Sequence, residues 1–85
     1  MPRVKLFANL RKVAGAKEIV AEGASIGEVL SGLLQQHPAL EAHLVKNGQI
    51  RPHVLITING QVTLDLNAPV LEQDEIAIFP PIAGG

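Results

Sequence analysis

Residues 25–38 read Ser25-Ile26-Gly27-Glu28-Val29-Leu30-Ser31-Gly32-Leu33-Leu34-Gln35-Gln36-His37-Pro38, and this stretch decides the fold. Ser25 and Glu28 stand at the Ser-x-x-Glu spacing of a capping box, in which each side chain bonds the other residue's backbone N–H. Ile26, Val29, Leu30, Leu33 and Leu34 then recur at the spacing that lays them along one face of a helix. Pro38 disfavours helical geometry at His37 and so sets the stop. A helix is therefore expected over residues 25–37. Gly27 and Gly32 each weaken it by up to about 1 kcal/mol, so packing on an apolar surface must hold it. Residues 39–45 are expected to add a further helical turn anchored by Leu40 and Leu44.

Upstream, residues 3–9 alternate, with Val4, Leu6 and Ala8 on one face and Lys5 and Phe7 on the other, the pattern of a half-buried strand. Gly15 suits a turn, and residues 17–21 read as a second strand, close enough to the first to form a hairpin. Downstream, residues 53–58 are rich in β-formers and run directly into Asn59-Gly60. That dipeptide favours a two-residue type I′ turn, which needs positive φ at both positions. The turn pairs Ile58 with Gln61 and Thr57 with Val62, and strand four is expected over 61–66. Pro69 opens a connection. Residues 75–79 form a last strand, ended by Pro80 and Pro81, which cannot donate to a ladder. A hairpin, one helix, then more strands reads as α+β. The commonest architecture with that order is the β-grasp (ubiquitin-like) fold, a mixed sheet packed on one main helix, with the first and last strands adjacent and parallel. The expected core is Val4, Leu6, Ile26, Val29, Leu30, Leu33, Val54, Ile56, Ile76 and Ile78. Residues 1–85 are expected to be a single domain, with 80–85 an extended flexible C-terminal tail.

Composition narrows the function. Eighty-five residues near the lower end of single-core size, with no cysteine, exclude disulfides, thiolate metal sites and a catalytic thiol. A formal charge of −1 argues against nucleic-acid binding, and Phe7 and Phe79, the two aromatic residues, are too few for a base-stacking platform. No apolar run approaches the roughly 20 residues of a membrane span. Met1-Pro2-Arg3 and the alternation after it lack the apolar stretch of a signal peptide. A soluble, cytoplasmic protein is the expectation.

The search for a catalytic centre within the domain finds little. His37, His43 and His53 share no metal-ligand spacing and suit surface or helix-end positions. Ser25 is a cap, and Ser31 lies mid-helix with no acid–base partner suggested. Asp74-Glu75 precedes a strand, where a turn role outweighs acid catalysis. No Gly-rich phosphate loop occurs. What remains is the ending, Phe79-Pro80-Pro81-Ile82-Ala83-Gly84-Gly85. Two glycines at a chain end read equally well as a frayed, inert terminus. They also form a backbone thin enough to thread a channel that any side chain would block. Two prolines would stiffen its exit and project it outward.

The run Asp74-Glu75-Ile76-Ala77-Ile78-Phe79-Pro80-Pro81-Ile82-Ala83-Gly84-Gly85 resembles the C-terminal signature of the MoaD family, the small subunit of molybdopterin synthase. Val4-Lys5-Leu6-Phe7-Ala8 and Asn59-Gly60 fall where that family has its first strand and hairpin, so the resemblance spans the chain. Phe-Pro-Pro-x-x-Gly-Gly is its most specific part. His37-Pro38-Ala39-Leu40-Glu41 resembles the archaeal-type branch, close to small ubiquitin-like modifiers. The thiamin sulfur carrier ThiS also ends in Gly-Gly but lacks the Pro-Pro pair, a poorer match.

The resemblance implies a sulfur carrier that is not catalytic alone. A ubiquitin-activating-type enzyme would use ATP to adenylate Gly85, and sulfur would then replace AMP to give a thiocarboxylate, with Gly84 as the slim approach. The large subunit of molybdopterin synthase would receive that sulfur for the molybdenum or tungsten cofactor. No cofactor is expected to stay bound to the carrier. Phe7, Val62 and Phe79, off the core-facing sets, would share the outer face of the sheet. With Pro80, Pro81, Ile82 and Ala83 they would meet these partners. The competing readings are a modifier joined through Gly85 to lysines of target proteins, a carrier for tRNA thiolation or thiamin, and an interaction domain with an inert tail.

Overall fold

A computed structural model describes residues 1–81. Along the chain run β1 (Arg3–Leu6), α1 (Asn9–Ala14), β2 (Glu18–Val20), α2 (Ile26–Gln36), a 3-10 turn (Pro38–Leu40), α3 (Glu41–Leu44), β3 (Val45–Lys46), β4 (Gln49–Ile50), β5 (Leu55–Ile58), β6 (Gln61–Val62) and β7 (Glu75–Phe79). Five strands form one sheet in the order β2-β1-β7-β5-β6, and β3 and β4 make a separate hairpin. The last strand sits in the middle. On one side β1 runs parallel to it, from Arg3 beside Glu75 to Leu6 beside Ile78. On the other, β5 runs antiparallel, with Leu55 opposite Phe79 and Ile58 opposite Ile76.

The capping box forms in part. Ser25 Oγ accepts the Glu28 N–H at 3.2 Å, and Glu28 Oε1 reaches back one residue beyond the cap to accept the Ala24 N–H at 3.1 Å. The helix then runs Ile26–Gln36, with His37 as its C-cap. Its stripe of Ile26, Val29, Leu30 and Leu33 is buried in one core with Val4, Leu6, Val54, Ile56, Ile76 and Ile78, and Leu34 packs on the margin. All ten expected core residues are in it. Leu10, Ile19, Ala21, Leu40, Leu44 and Val70 complete it. Each large apolar side chain in it contributes roughly 1.5–3 kcal/mol of burial. This is the β-grasp architecture, a mixed sheet with one main helix across one face.

Three strand boundaries and one connection depart from the sequence reading. Strand β1 stops at Leu6, because Ala8 adopts φ 54° and turns the chain into α1. Ala8 is therefore exposed instead of facing the core with Val4 and Leu6. Strands β1 and β2 are antiparallel neighbours, joined through α1 and not by a tight turn. Strand β5 begins at Leu55, since His53 sits at φ 70°. Strand β6 ends at Val62, four residues short of the expected Leu66, and Leu64 beyond it is 85% exposed. The β3–β4 hairpin was not anticipated, although Asn47-Gly48, both at positive φ, is the same dipeptide as Asn59-Gly60.

Candidate functional site

The alternation of β1, β7, β5 and β6 sends one set of side chains away from α2. The Asn59-Gly60 turn fixes that alternation: φ is 48° and 88° at its two residues, and the register pairs Ile58 with Gln61 and Thr57 with Val62 as the dipeptide requires. Asn59 is also locked from the side. Its Oδ1 accepts the Glu75 N–H at 2.9 Å, and its Nδ2 donates to Asp74 Oδ1 at 3.0 Å. Asp74 Oδ2 accepts the Leu71 N–H at 2.8 Å. Asp74 is thus a turn residue. The Leu71 backbone bond and then the Asn59 bond hold its carboxyl below the usual carboxylate range, against a smaller opposing effect of burial.

With that register set, Phe79 stands on the outer face where β7 ends, and Phe7 follows directly after β1. The two rings stack with centroids 4.4 Å apart and planes 15° from parallel. Both are half-buried. The kink at Ala8 then brings Arg11, one turn along, back over the pair: its guanidinium lies 5.1 Å from the Phe7 ring centroid. Arg11 Nε donates to the Leu6 carbonyl at 2.7 Å, which ties the side chain down. Leu55, opposite Phe79 on β5, is 39% exposed, and Val62 on β6 is 59% exposed. Together they make an aromatic and aliphatic strip on one side of the sheet. Apolar groups gathered this way make the strip a candidate interaction surface.

Charges border the strip on the β1 side. Arg3 bridges Glu75 at 3.3 Å and Glu18 at 3.8 Å, and Lys5 meets Glu75 at 3.2 Å. Such exposed pairs add little stability. They do neutralise one another, leaving the strip's border without a strong field of one sign.

Of the expected site residues, Phe7, Val62 and Phe79 share the outer face, and Pro80 and Pro81 follow Phe79 directly, both partly exposed. Ile82, Ala83, Gly84 and Gly85 lie outside the described residues. Leu55 and Arg11 belong to the site but were missed. Leu55 was legible, because placing Val54 and Ile56 inward sends Leu55 out. Arg11 was not, because its position depends on the backbone reversal at Ala8. The three histidines stand apart: His37 caps α2, His43 lies in α3 and His53 is exposed before β5. No helix among the described residues is long and apolar enough to cross a membrane.

Comparison with known proteins matches residues 4–85 to the ThiS family. Small archaeal modifier protein 3 of Haloferax volcanii is 38% identical over 88 residues, which take in 96% of each chain. The molybdopterin synthase sulfur carrier subunit of Arabidopsis thaliana is 33% identical over 86 residues, 98% of this chain and 81% of that one. Among solved structures, a chain in the crystal structure of the Amycolatopsis orientalis BexX/CysO complex aligns with a TM-score of 0.86 at 27% identity, with 100% of both chains covered.

Proposed function

The chain belongs to the ThiS/MoaD family of sulfur carriers and ubiquitin-like modifiers, and from that premise we propose that it carries sulfur on Gly85 for molybdopterin synthesis. The observation that supports this reading is the placement of the Phe7–Phe79 stack. It lies at the end of the strand that leads into Pro80, Pro81 and the two glycines. A partner that grips the outer face therefore holds the chain at the root of its ending. Six residues can span up to roughly 20 Å when extended, so a carboxylate on Gly85 could react well away from the grip.

The chemistry follows from the poor reactivity of a carboxylate. In an activating enzyme of the ubiquitin-activating type, an oxygen of the Gly85 carboxylate attacks the α-phosphorus of ATP, and pyrophosphate leaves. The product is an acyl adenylate, a mixed anhydride. Hydrosulfide then adds to the acyl carbon and gives up its proton, and AMP departs with the carboxylate oxygen it had bonded, leaving a thiocarboxylate on Gly85. The thiocarboxylate is presented to the molybdopterin synthase large subunit, where its sulfur passes to the acceptor and water supplies the oxygen that restores the carboxylate. In this scheme ATP binds the partner, and the carrier works in the cytoplasm with no cofactor of its own. Its contribution is shape: the outer face docks, and Gly84 lets the backbone pass a narrow channel.

Mass spectrometry tests the proposal. Incubated with its activating enzyme, ATP and a sulfide source, the chain gains the mass of sulfur replacing one oxygen, localised to Gly85. Failure to form either adenylate or thiocarboxylate overturns it.

A second reading has its own support. The 38% identity to small archaeal modifier protein 3 favours a ubiquitin-like modifier that forms an isopeptide bond from Gly85 to a lysine of a target protein. Both readings share the adenylate. A ladder of larger species bearing this chain in cell lysate selects the modifier, and a single free species selects the carrier.

A further inference from the structure

We infer that Arg11 is the specificity anchor of the docking face, receiving a carboxylate of the activating enzyme. The inference rests on the activating-partner step of the proposed function and adds to it a residue and the chemistry of its counterpart. Three features of the Arg11 environment converge on it. The side chain is held at two points, by its Nε bond to the Leu6 carbonyl at 2.7 Å and by its position over the Phe7 ring. That ring is itself stacked on Phe79. A guanidinium fixed over an aromatic face has already lost most of its rotamer freedom, so a partner meeting it loses little more. Finally, the acids across the outer face are engaged elsewhere: Glu18 with Arg3, and Glu75 with both Arg3 and Lys5. Among the described residues no carboxylate lies within 4.0 Å of Arg11 in an ion pair.

The Nε bond uses one of the five guanidinium donors. The two terminal nitrogens keep the planar fork that a carboxylate takes in two parallel hydrogen bonds. Lysine could supply the charge there but not the fork. The counterpart on the partner is therefore an Asp or Glu at the rim of an apolar surface that covers Phe7, Phe79 and Leu55. The kink at Ala8 places the anchor beside Phe7, and the stack joins Phe7 to Phe79, so the three side chains meet a partner together and set the orientation of docking as well as its strength.

The test is steady-state adenylation of the full chain by its activating enzyme, with wild type, Arg11→Gln and Arg11→Lys. Arg11→Gln is expected to raise KM for the carrier at least about tenfold, as loss of a charged hydrogen-bonded pair does. Its kcat should stay near the wild-type value, and its KM should lose most of its dependence on ionic strength. Arg11→Lys should recover the salt dependence but only part of the affinity. Because Arg11 also braces the Leu6 carbonyl, an arginine-selective dicarbonyl is applied to the wild-type chain as well. Arg11 should react in the free chain and be shielded in the complex, while Arg51 stays reactive. Unchanged KM and salt dependence in Arg11→Gln, or equal labelling of Arg11 in free and bound chain, overturns the inference and leaves the sulfur-carrier reading intact. If the wild-type chain is not adenylated at all, that reading fails and the inference falls with it.

Discussion

Replacing Phe7 and Phe79 by serine, singly and together, separates a docking surface from a misplaced core. Each ring is half-buried. Full burial of a phenylalanine is worth roughly 1.5–3 kcal/mol, so each ring loses about 1 kcal/mol of burial on truncation. The stacked geometry, 4.4 Å and 15°, adds about 1 kcal/mol that belongs to the pair. Each single variant is then expected to lose about 2 kcal/mol and the double variant about 3, leaving a coupling of about 1 kcal/mol. A domain of this size has about 4–13 kcal/mol at the usual stability per residue, so the double variant stays folded. Urea unfolding measures these losses, and circular dichroism checks the fold. Binding to the activating enzyme, followed by calorimetry, should fall about thirtyfold or more, the cost of removing a hot spot worth about 2 kcal/mol. A double variant that is unfolded in buffer would mean that the rings are core. A coupling near zero would mean that the stack does not exist in solution. Native folding with unchanged binding would remove the outer face from the function.

Other outcomes follow from the same packing. Leu30→Ala should cost about 2–5 kcal/mol in urea unfolding, since Leu30 is buried on the helix stripe; a loss under about 1 kcal/mol contradicts its place in the core. The two helix glycines should respond differently: Gly32→Ala, with only the Glu22 carbonyl 3.5 Å from the added methyl, should raise stability by about 0.5–1 kcal/mol. Gly27→Ala, 3.2 Å from the Leu66 carbonyl, should gain less or lose, and equal gains would contradict the close approach. The Asp74 carboxyl is depressed in the folded state, so its contribution is complete above the unfolded carboxylate pKa and is lost as pH falls through the lower folded value. Acid unfolding of Asp74→Asn should therefore show a shallower loss across that acid window than wild type, and coincident pH profiles would refute the assignment. Appending one residue after Gly85 should abolish adenylation without moving the unfolding midpoint, since chain ends are where added residues are best tolerated; adenylation at the wild-type rate would refute Gly85 as the acceptor.

Much of this was legible wherever local chemistry and global fold agree. Ser25, Glu28 and Pro38 bracket α2 with signals that act within a few residues, and β7 is closed by two prolines. Asn59-Gly60 sets a register that carries Val62 to the outer face with no further information. The failures have separate causes. At Ala8 the chain takes a positive φ on a residue that carries no marker for it, in the middle of an unbroken alternation, so α1 and Arg11 were hidden together. At Asn47-Gly48 the turn signal was present, but the flanking strands are two residues long and too short to show a period. The end of β6 was misjudged because Leu64 and Leu66 read as apolar strand positions, yet both are exposed. Tertiary contacts decide such residues. The ending proposed to react falls in residues 82–85, so its proposed role rests on the sequence and on the family.

The central position of β7 also has a mechanical meaning. Any enzyme that draws the ending into a channel pulls along the axis of the strand that precedes it. That strand is hydrogen-bonded on both flanks, by β1 over Arg3–Leu6 and by β5 over Leu55–Ile58. A load applied beyond Pro81 along that axis is therefore shared between two ladders, where a strand at the sheet margin would have one. Pulling on that end loads the middle of the sheet and not its edge.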